Sequence, residues 1–244
     1  MANNVLITGA SRGIGAETAR LFARMGWNVV LHYCSSEKQA HALQEELSAL
    51  GGTVTLVKGD VSDPDQARLV VEAAEAAGEL DALVCCAGIA LPQQLLTDTT
   101  NEQWRRVMGV DLDGVFYTIR AAYPAFVRRQ RGAIVTVSSM WGVTGGSCEA
   151  AYSAAKAGVI GLTQALAKEL GPSHVRVNCV APGVIDTEMN AHLSAEDMEA
   201  LGEETPLGRI GTAEETARAI YFLASDQSSF VTGQVLRVDG GMVI

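Results

Sequence analysis

Three residues in the middle of the chain, Ser139, Tyr152 and Lys156, have the types and spacing for proton transfer. Tyr152 and Lys156 form a Y-x-x-x-K pair inside an alanine-rich run. That spacing is about one helical turn, so the phenol and the ammonium share one face. Free tyrosine has a pKa of about 10, and a positive neighbour stabilises the phenolate and lowers it, giving a proton donor that works near neutrality. Ser139 ends an apolar run, where its hydroxyl is placed to hold a substrate oxygen for that donor. The sequence predicts one proton-transfer site built from these three side chains.

Positioning such a trio needs a rigid frame. Apolar runs rich in Val, Leu and Ile at 4–8, 28–33, 53–58, 80–86, 133–138, 176–180 and 235–238 alternate with helical patterns. The helical patterns cover 14–25, 37–50, 64–77, 102–129, 151–170 and 213–224. Strands that are apolar along their whole length are what a buried parallel sheet requires, and strand–helix alternation makes right-handed crossovers with helices on both faces. The prediction is a single α/β domain over 1–244, doubly wound around a seven-stranded parallel sheet. One polar and acidic stretch, 183–210, reads as a substrate-binding loop or lid.

Composition narrows the partners. With 244 residues, 48% of them hydrophobic, the chain is long enough for one full core. A formal charge of -10 argues against nucleic acid or an anionic membrane surface as partner. No apolar run approaches a membrane span, and the opening MANNVLITGA reads as a strand rather than a secretory leader. The five cysteines lack CxxC spacing and share no ligand pattern with the four histidines. That predicts no metal site, and reduced thiols in a cytoplasmic protein.

After the first strand comes a Gly-rich turn, Thr8-Gly9-Ala10-Ser11-Arg12-Gly13-Ile14-Gly15. Glycines here permit a tight turn and close approach of a pyrophosphate, whose charge suits a helix N-terminus. A site that prefers the non-phosphorylated dinucleotide places a carboxylate at the end of the second strand. That strand ends in Tyr33-Cys34-Ser35-Ser36, and no acid appears until Glu37. Arg12 is placed to pair with a 2′-phosphate, with Ser35 adding a hydroxyl, so the reading is NADPH rather than NADH. Asp60-Val61, after the third strand, is placed to reach an adenine; Asp60 could equally cap the next helix.

Together these residues resemble the short-chain dehydrogenase/reductase family. The T-G-x-x-x-G-x-G turn, Asp60-Val61, the Ser–Tyr–Lys set, Pro182-Gly183 after the sixth strand and the terminal Val238-Asp239-Gly240-Gly241 all match, so the resemblance spans the chain. It implies a Rossmann-type NAD(P)-binding domain. It also implies that Tyr152 protonates a carbonyl, Lys156 tunes Tyr152 and holds the nicotinamide ribose, and Ser139 binds the substrate oxygen. Tyr33, Cys86, Ala87, Gly88, Pro182, Gly183, Ile185 and Thr187 would join the cofactor contacts. Family members usually form homotetramers through the helices that hold 111–129 and 152–170.

Two positions depart from the family pattern. Cys85-Cys86-Ala87-Gly88 stands where Asn-Asn-Ala-Gly is usual, and the thiols read as packing rather than redox chemistry. Asp111 stands where a catalytic Asn is common. An ionised Asp111 near Lys156 would raise the Lys pKa and partly cancel its pull on Tyr152; the competing expectation is a carboxylate that only stabilises a helix kink.

The expected substrate wall is Met140, Trp141 and Val143 with Val184, Ile185 and Met189. The overall pattern is most similar to 3-oxoacyl-(acyl-carrier-protein) reductases. An acidic carrier would need basic residues near the pocket, and Arg128, Arg129 and Arg131 form the densest cluster. The run SSMWGVTGGSCEAAYS, with Glu149, instead resembles reductases of 5-aminopentanone groups on elongation factor P, and Glu149 would suit a cationic ketone. A non-catalytic NADPH sensor or scaffold is the reading from another class.

Overall fold

Alternation along each strand decides which helices it meets. In β1 (Asn4–Thr8), Val5 and Ile7 enter one apolar cluster and Leu6 the other, and all three are fully buried. β2 (Asn28–Tyr33) repeats the pattern, with Val29, Leu31 and Tyr33 on the first face and Val30 on the second. The sheet is therefore apolar on both sides and must be covered on both.

The computed structural model describes residues 2–49, 51–191 and 193–243. The first face carries α1 (Gly13–Arg24), α2 (Glu37–Ser48) and α9 (Ala213–Ala224), through Phe22, Leu47 and Ile220 among others. The second carries α3 (Pro64–Ala77), α5 (Gly114–Arg129) and α7 (Ala150–Leu170), through Val71, Ile119 and Val159. The remaining strands of the main sheet are β3 (Val54–Lys58), β4 (Ala82–Cys85), β5 (Gly132–Val137), β6 (Val175–Pro182) and β9 (Val235–Val238). All pair in parallel in the order β3-β2-β1-β4-β5-β6-β9. The chain winds outward from β1 to β3, then restarts beside β1 at β4. In open sheets, ligands bind beyond the strand C-termini at such a reversal.

The structure corrects one predicted helix and adds two features that periodicity did not predict. The pattern at 102–129 is not one helix: α4 (Asn101–Met108) gives way to a π-turn over Gly109–Asp113 before α5 begins. Apolar periodicity carries no mark of a one-residue slip in hydrogen bonding. The stretch 183–210 is structured, with β7 (Ile185–Asp186), a short 3-10 turn and α8 (Ala195–Glu204); β7 pairs with β8 (Gly211–Thr212). Ser194 and Asp197 form a reciprocal capping box that starts α8. A further short helix, α6 (Met140–Thr144), follows Ser139. Leu50, expected to end a helix, and His192 lie outside the described residues.

Candidate active site

A cleft of about 400 Å³ opens at the β1/β4 reversal, and Ser139, Tyr152 and Lys156 all line it. Each is aimed by a different local device. Ser139 is the N-cap of α6, where its Oγ accepts from Trp141 N at 3.2 Å, leaving the hydroxyl proton to donate elsewhere. α6 can lie against α7 because position 142 is glycine: a Cβ there would stand 2.4 Å from Ser138 Oγ and 2.8 Å from the Lys156 carbonyl carbon. The Ser138 hydroxyl donates to Lys156 O at 2.8 Å, tying strand end to helix. At the start of α7, Ser153 Oγ accepts from Gly146 N at 3.0 Å and fixes the preceding loop.

Lys156 is buried, and its Nζ donates to Val137 O at 3.1 Å. The same nitrogen lies 5.5 Å from the centre of the Tyr152 ring and 3.4 Å from Asp111 Oδ2. Asp111 is fully buried in the π-turn, and its Oδ1 accepts from Ile89 N at 2.8 Å. Asp111 thus meets Lys156 directly and also pins the chain beyond β4. Gly88 makes room for the pair: a Cβ there would come within 3.2 Å of Lys156 Nζ and 3.3 Å of Asp111 Oδ2.

The electrostatics differ from the simple Tyr–Lys expectation. Burial pushes the Tyr152 phenol up; Lys156 and the Ser139 hydroxyl pull it down, while Asp111 and Glu149 push it further up. The outcome is a pKa above the ordinary tyrosine value, so the phenol holds its proton through neutrality. Burial lowers the Lys156 ammonium, but Asp111, Tyr152 and Cys86 outweigh it and its pKa is raised. Burial lifts the Asp111 carboxyl above the usual carboxylate range against the pull of Lys156. Cys85 and Cys86 are both held as thiols by burial, Cys86 with a pKa pushed up to about 11.

The Gly-rich turn forms the other end of the cleft. Gly9 has φ +65, and a Cβ would stand 2.6 Å from Ala87 Cα; at Gly15 a Cβ would stand 2.3 Å from Gly9 O. Arg12, the N-cap of α1, makes no side-chain cap bond, so the first N–H groups of α1 are open to a phosphate. A dinucleotide pyrophosphate fits this cradle. The expected Ser11, Arg12, Gly13, Ile14, Ser35, Asp60, Val61, Cys86, Ala87, Gly88, Pro182, Gly183, Ile185 and Thr187 all line the cleft. Glu37, the first acid after β2, is turned to Lys58 at 3.1 Å.

Other expected residues sit elsewhere. Tyr33 points into the α1–α2 core, because alternation gives the cleft face of β2 to His32. Asp60 is not a helix cap: Asp63 caps α3, accepting from Asp65 N and Gln66 N, while Asp60 Oδ2 meets Arg106 at 3.2 Å. Among the substrate residues only Ile185 and Met189 line the cleft. Met140 is buried under α6, Val143 is exposed, Trp141 packs over Gly146, and the Val184 carbonyl bonds Gly211 N. Glu149 stands just outside the cleft wall, near enough to act on Tyr152. Arg129 and Arg131 bind Asp81 at 3.0 and 3.2 Å, before β4, at the end of the sheet opposite the cleft within one chain. Sequence reasoning missed Arg106 and His32; strand alternation was the signal for His32.

A family model described as Enoyl-(Acyl carrier protein) reductase matches residues 9–243. The chain belongs to the short-chain dehydrogenase/reductase family. It is 44% identical over 240 residues to a 3-oxoacyl-(acyl-carrier-protein) reductase of Thermotoga maritima, covering 98% of this chain and 97% of the relative. The Staphylococcus aureus enzyme of the same name is 40% identical over 243 residues, covering 99% and 98%. A crystal structure of the Brucella melitensis 3-oxoacyl-(acyl-carrier protein) reductase superposes with TM-score 0.92 at 38% identity, covering 98% of this chain and 90% of that one. Among the described residues no helix is long and apolar enough to cross a membrane.

Proposed function

We propose that the chain is an NADPH-dependent carbonyl reductase that converts a carrier-borne ketone to an alcohol. The observation that carries this reading is the convergence of Ser139, Tyr152 and Lys156 on the same cleft as the phosphate-sized cradle of the Gly-rich turn. Bound reduced nicotinamide supplies the hydride. Tyr152 gives its phenolic proton to the ketone oxygen, and the Ser139 hydroxyl donates a hydrogen bond to that oxygen as negative charge develops on it. Lys156 would stabilise the phenolate left behind and would help hold the nicotinamide ribose. Arg12 and Ser35 on the same cleft, with Glu37 turned to Lys58, support a phosphorylated adenosine.

The names of the relatives make a 3-oxoacyl thioester on an acyl carrier protein the leading substrate class. Glu149 beside Tyr152 favours a second reading: a cationic amino-ketone such as the 5-aminopentanone group on elongation factor P. The Arg129 and Arg131 cluster is engaged with Asp81 at the end of the sheet opposite the cleft, so within one chain that cluster does not serve the cleft mouth for an acidic carrier. We place the homotetramer contact on α5 and α7, where Phe116 is exposed, and the protein in the cytoplasm, in keeping with its unpaired cysteines. The deciding experiment measures NADPH consumption with acetoacetyl carrier protein and with aminopentanone-bearing elongation factor P, side by side. Turnover of the first supports the carrier reading and turnover of the second the cationic one. Tight NADPH binding with neither turned over would leave a sensor or scaffold.

A further inference from the structure

His32 is 1% exposed and lies among the residues that line the cleft. Its Nδ1 lies 3.1 Å from Gly9 N, and its Nε2 lies 3.0 Å from Gly59 O. A backbone N–H only donates and a carbonyl only accepts, so both bonds form together only when Nδ1 is bare and Nε2 carries the proton. The His32 carbonyl also accepts from Ala10 N at 2.9 Å, so one residue holds two successive amides of the turn. On its other side Gly9 rests against Ala87, with no room for a Cβ. The far end of the ring anchors to Gly59, next to Asp60. Ring and backbone together therefore brace the phosphate cradle against the end of β3.

We propose that His32, as the neutral Nε2–H tautomer, is a positioning residue for the phosphate-binding turn, and that its protonation releases Gly9 and weakens dinucleotide binding. The proposal rests on the cofactor reading above. An added proton on Nδ1 would set two N–H donors against each other in a site without water-like freedom, which turns a bond into an unsatisfied pair. Burial favours the neutral ring and lowers its pKa, against the Gly59 carbonyl and Asp60, which raise it. The titratable and charged groups that line the same cleft are Asp60 after β3, Arg106 on α4, Arg12 in the turn, Cys34 after β2, Cys86 after β4, Tyr152 and Lys156 on α7 and Glu188 after β7, and of these Asp60 acts on the ring. The sign follows: the fold prefers the neutral ring, so its contribution is complete above the ordinary histidine pKa and is lost as pH falls below it.

The test uses the full chain. Nitrogen-15 NMR of labelled histidine at pH 7.5 is expected to show the Nε2–H tautomer at His32. Calorimetric titration with NADP, which survives acid, is expected to give a Kd that is flat above pH 7 and weakens roughly three- to tenfold on acidification. His32→Asn, or His32→Gln if the first variant folds poorly, should lose that extra dependence and keep only the part due to the ligand's own 2′-phosphate. An Nδ1–H tautomer, or a variant with the wild-type pH curve, overturns the proposal. Failure of the wild-type protein to bind NADP at any pH overturns the cofactor reading instead, and the tautomer then decides the brace alone.

Discussion

Asp111 and Lys156 form a direct ion pair, Oδ2 to Nζ 3.4 Å, with side chains 0% and 5% exposed. At this position the family commonly has an amide, which carries no charge to Lys156. A carboxylate instead engages the ammonium that would otherwise pull on Tyr152, and adds its own repulsion to the phenolate. Both effects keep the phenol protonated. In the proposed reaction this keeps Tyr152 in the form that can donate a proton at neutral pH.

Replacing Asp111 with Asn should therefore make Tyr152 more acidic. Alcohol oxidation needs the phenolate, so its rate rises as pH climbs through the Tyr152 pKa. In Asp111→Asn that rise is expected at lower pH than in the wild type, and the loss of reduction at high pH should move in the same direction. An unmoved pH–rate profile would show that the carboxylate does not act on the phenol. Asp111→Ala, which strands a buried ammonium, is expected to cost about 3–5 kcal/mol in urea unfolding.

Removing the acid itself separates chemistry from binding. Tyr152→Phe keeps the ring and deletes the proton, so kcat should fall by roughly 10²–10⁴ while the NADPH Kd stays within about twofold. Substantial remaining turnover would mean that another group protonates the ketone.

Cofactor choice is tested at the cleft rim. NADPH should be used in preference to NADH, and Arg12→Gln should reduce kcat/KM for NADPH by about tenfold or more, with little change for NADH. Equal loss with both cofactors would assign Arg12 to shaping the turn rather than to the 2′-phosphate.

Substrate charge is tested at Glu149. If the ketone carries an ammonium, Glu149→Gln should raise its KM several-fold, while an acetoacetyl thioester is unaffected or improved. The same variant relieves one of the charges pushing Tyr152 up, so both substrates are compared at one pH below neutrality.

The sheet, the Gly-rich turn and the Ser139–Tyr152–Lys156 set were legible because each rests on local rules. Strand runs such as 4–8 are apolar throughout, and a one-turn spacing puts two side chains on one face. What was not legible depended on facing. Met140 and Val143 follow Ser139 closely, but α6 turns one into the core and the other to solvent. Tyr33 and His32 are neighbours, and a period of two sends only His32 to the cleft. The contact of Asp111 with Lys156 depends on a π-turn that no hydropathy pattern records.

That π-turn has a consequence for how this stretch can change. It holds one residue more than a regular helix would use to cover the same rise, and each residue turns the axis by about 100°. Deleting any one residue from Gly109–Asp113 would restore an unbroken rod from α4 into α5. Because the wide turn absorbs the surplus residue, α5 would keep Val115, Ile119 and Phe126 in the core, while Asp111 would lose the bulged backbone that sets it against Lys156. Point substitutions can edit the site one side chain at a time, whereas a loss of length here would take away the carboxylate's placement and leave the frame standing.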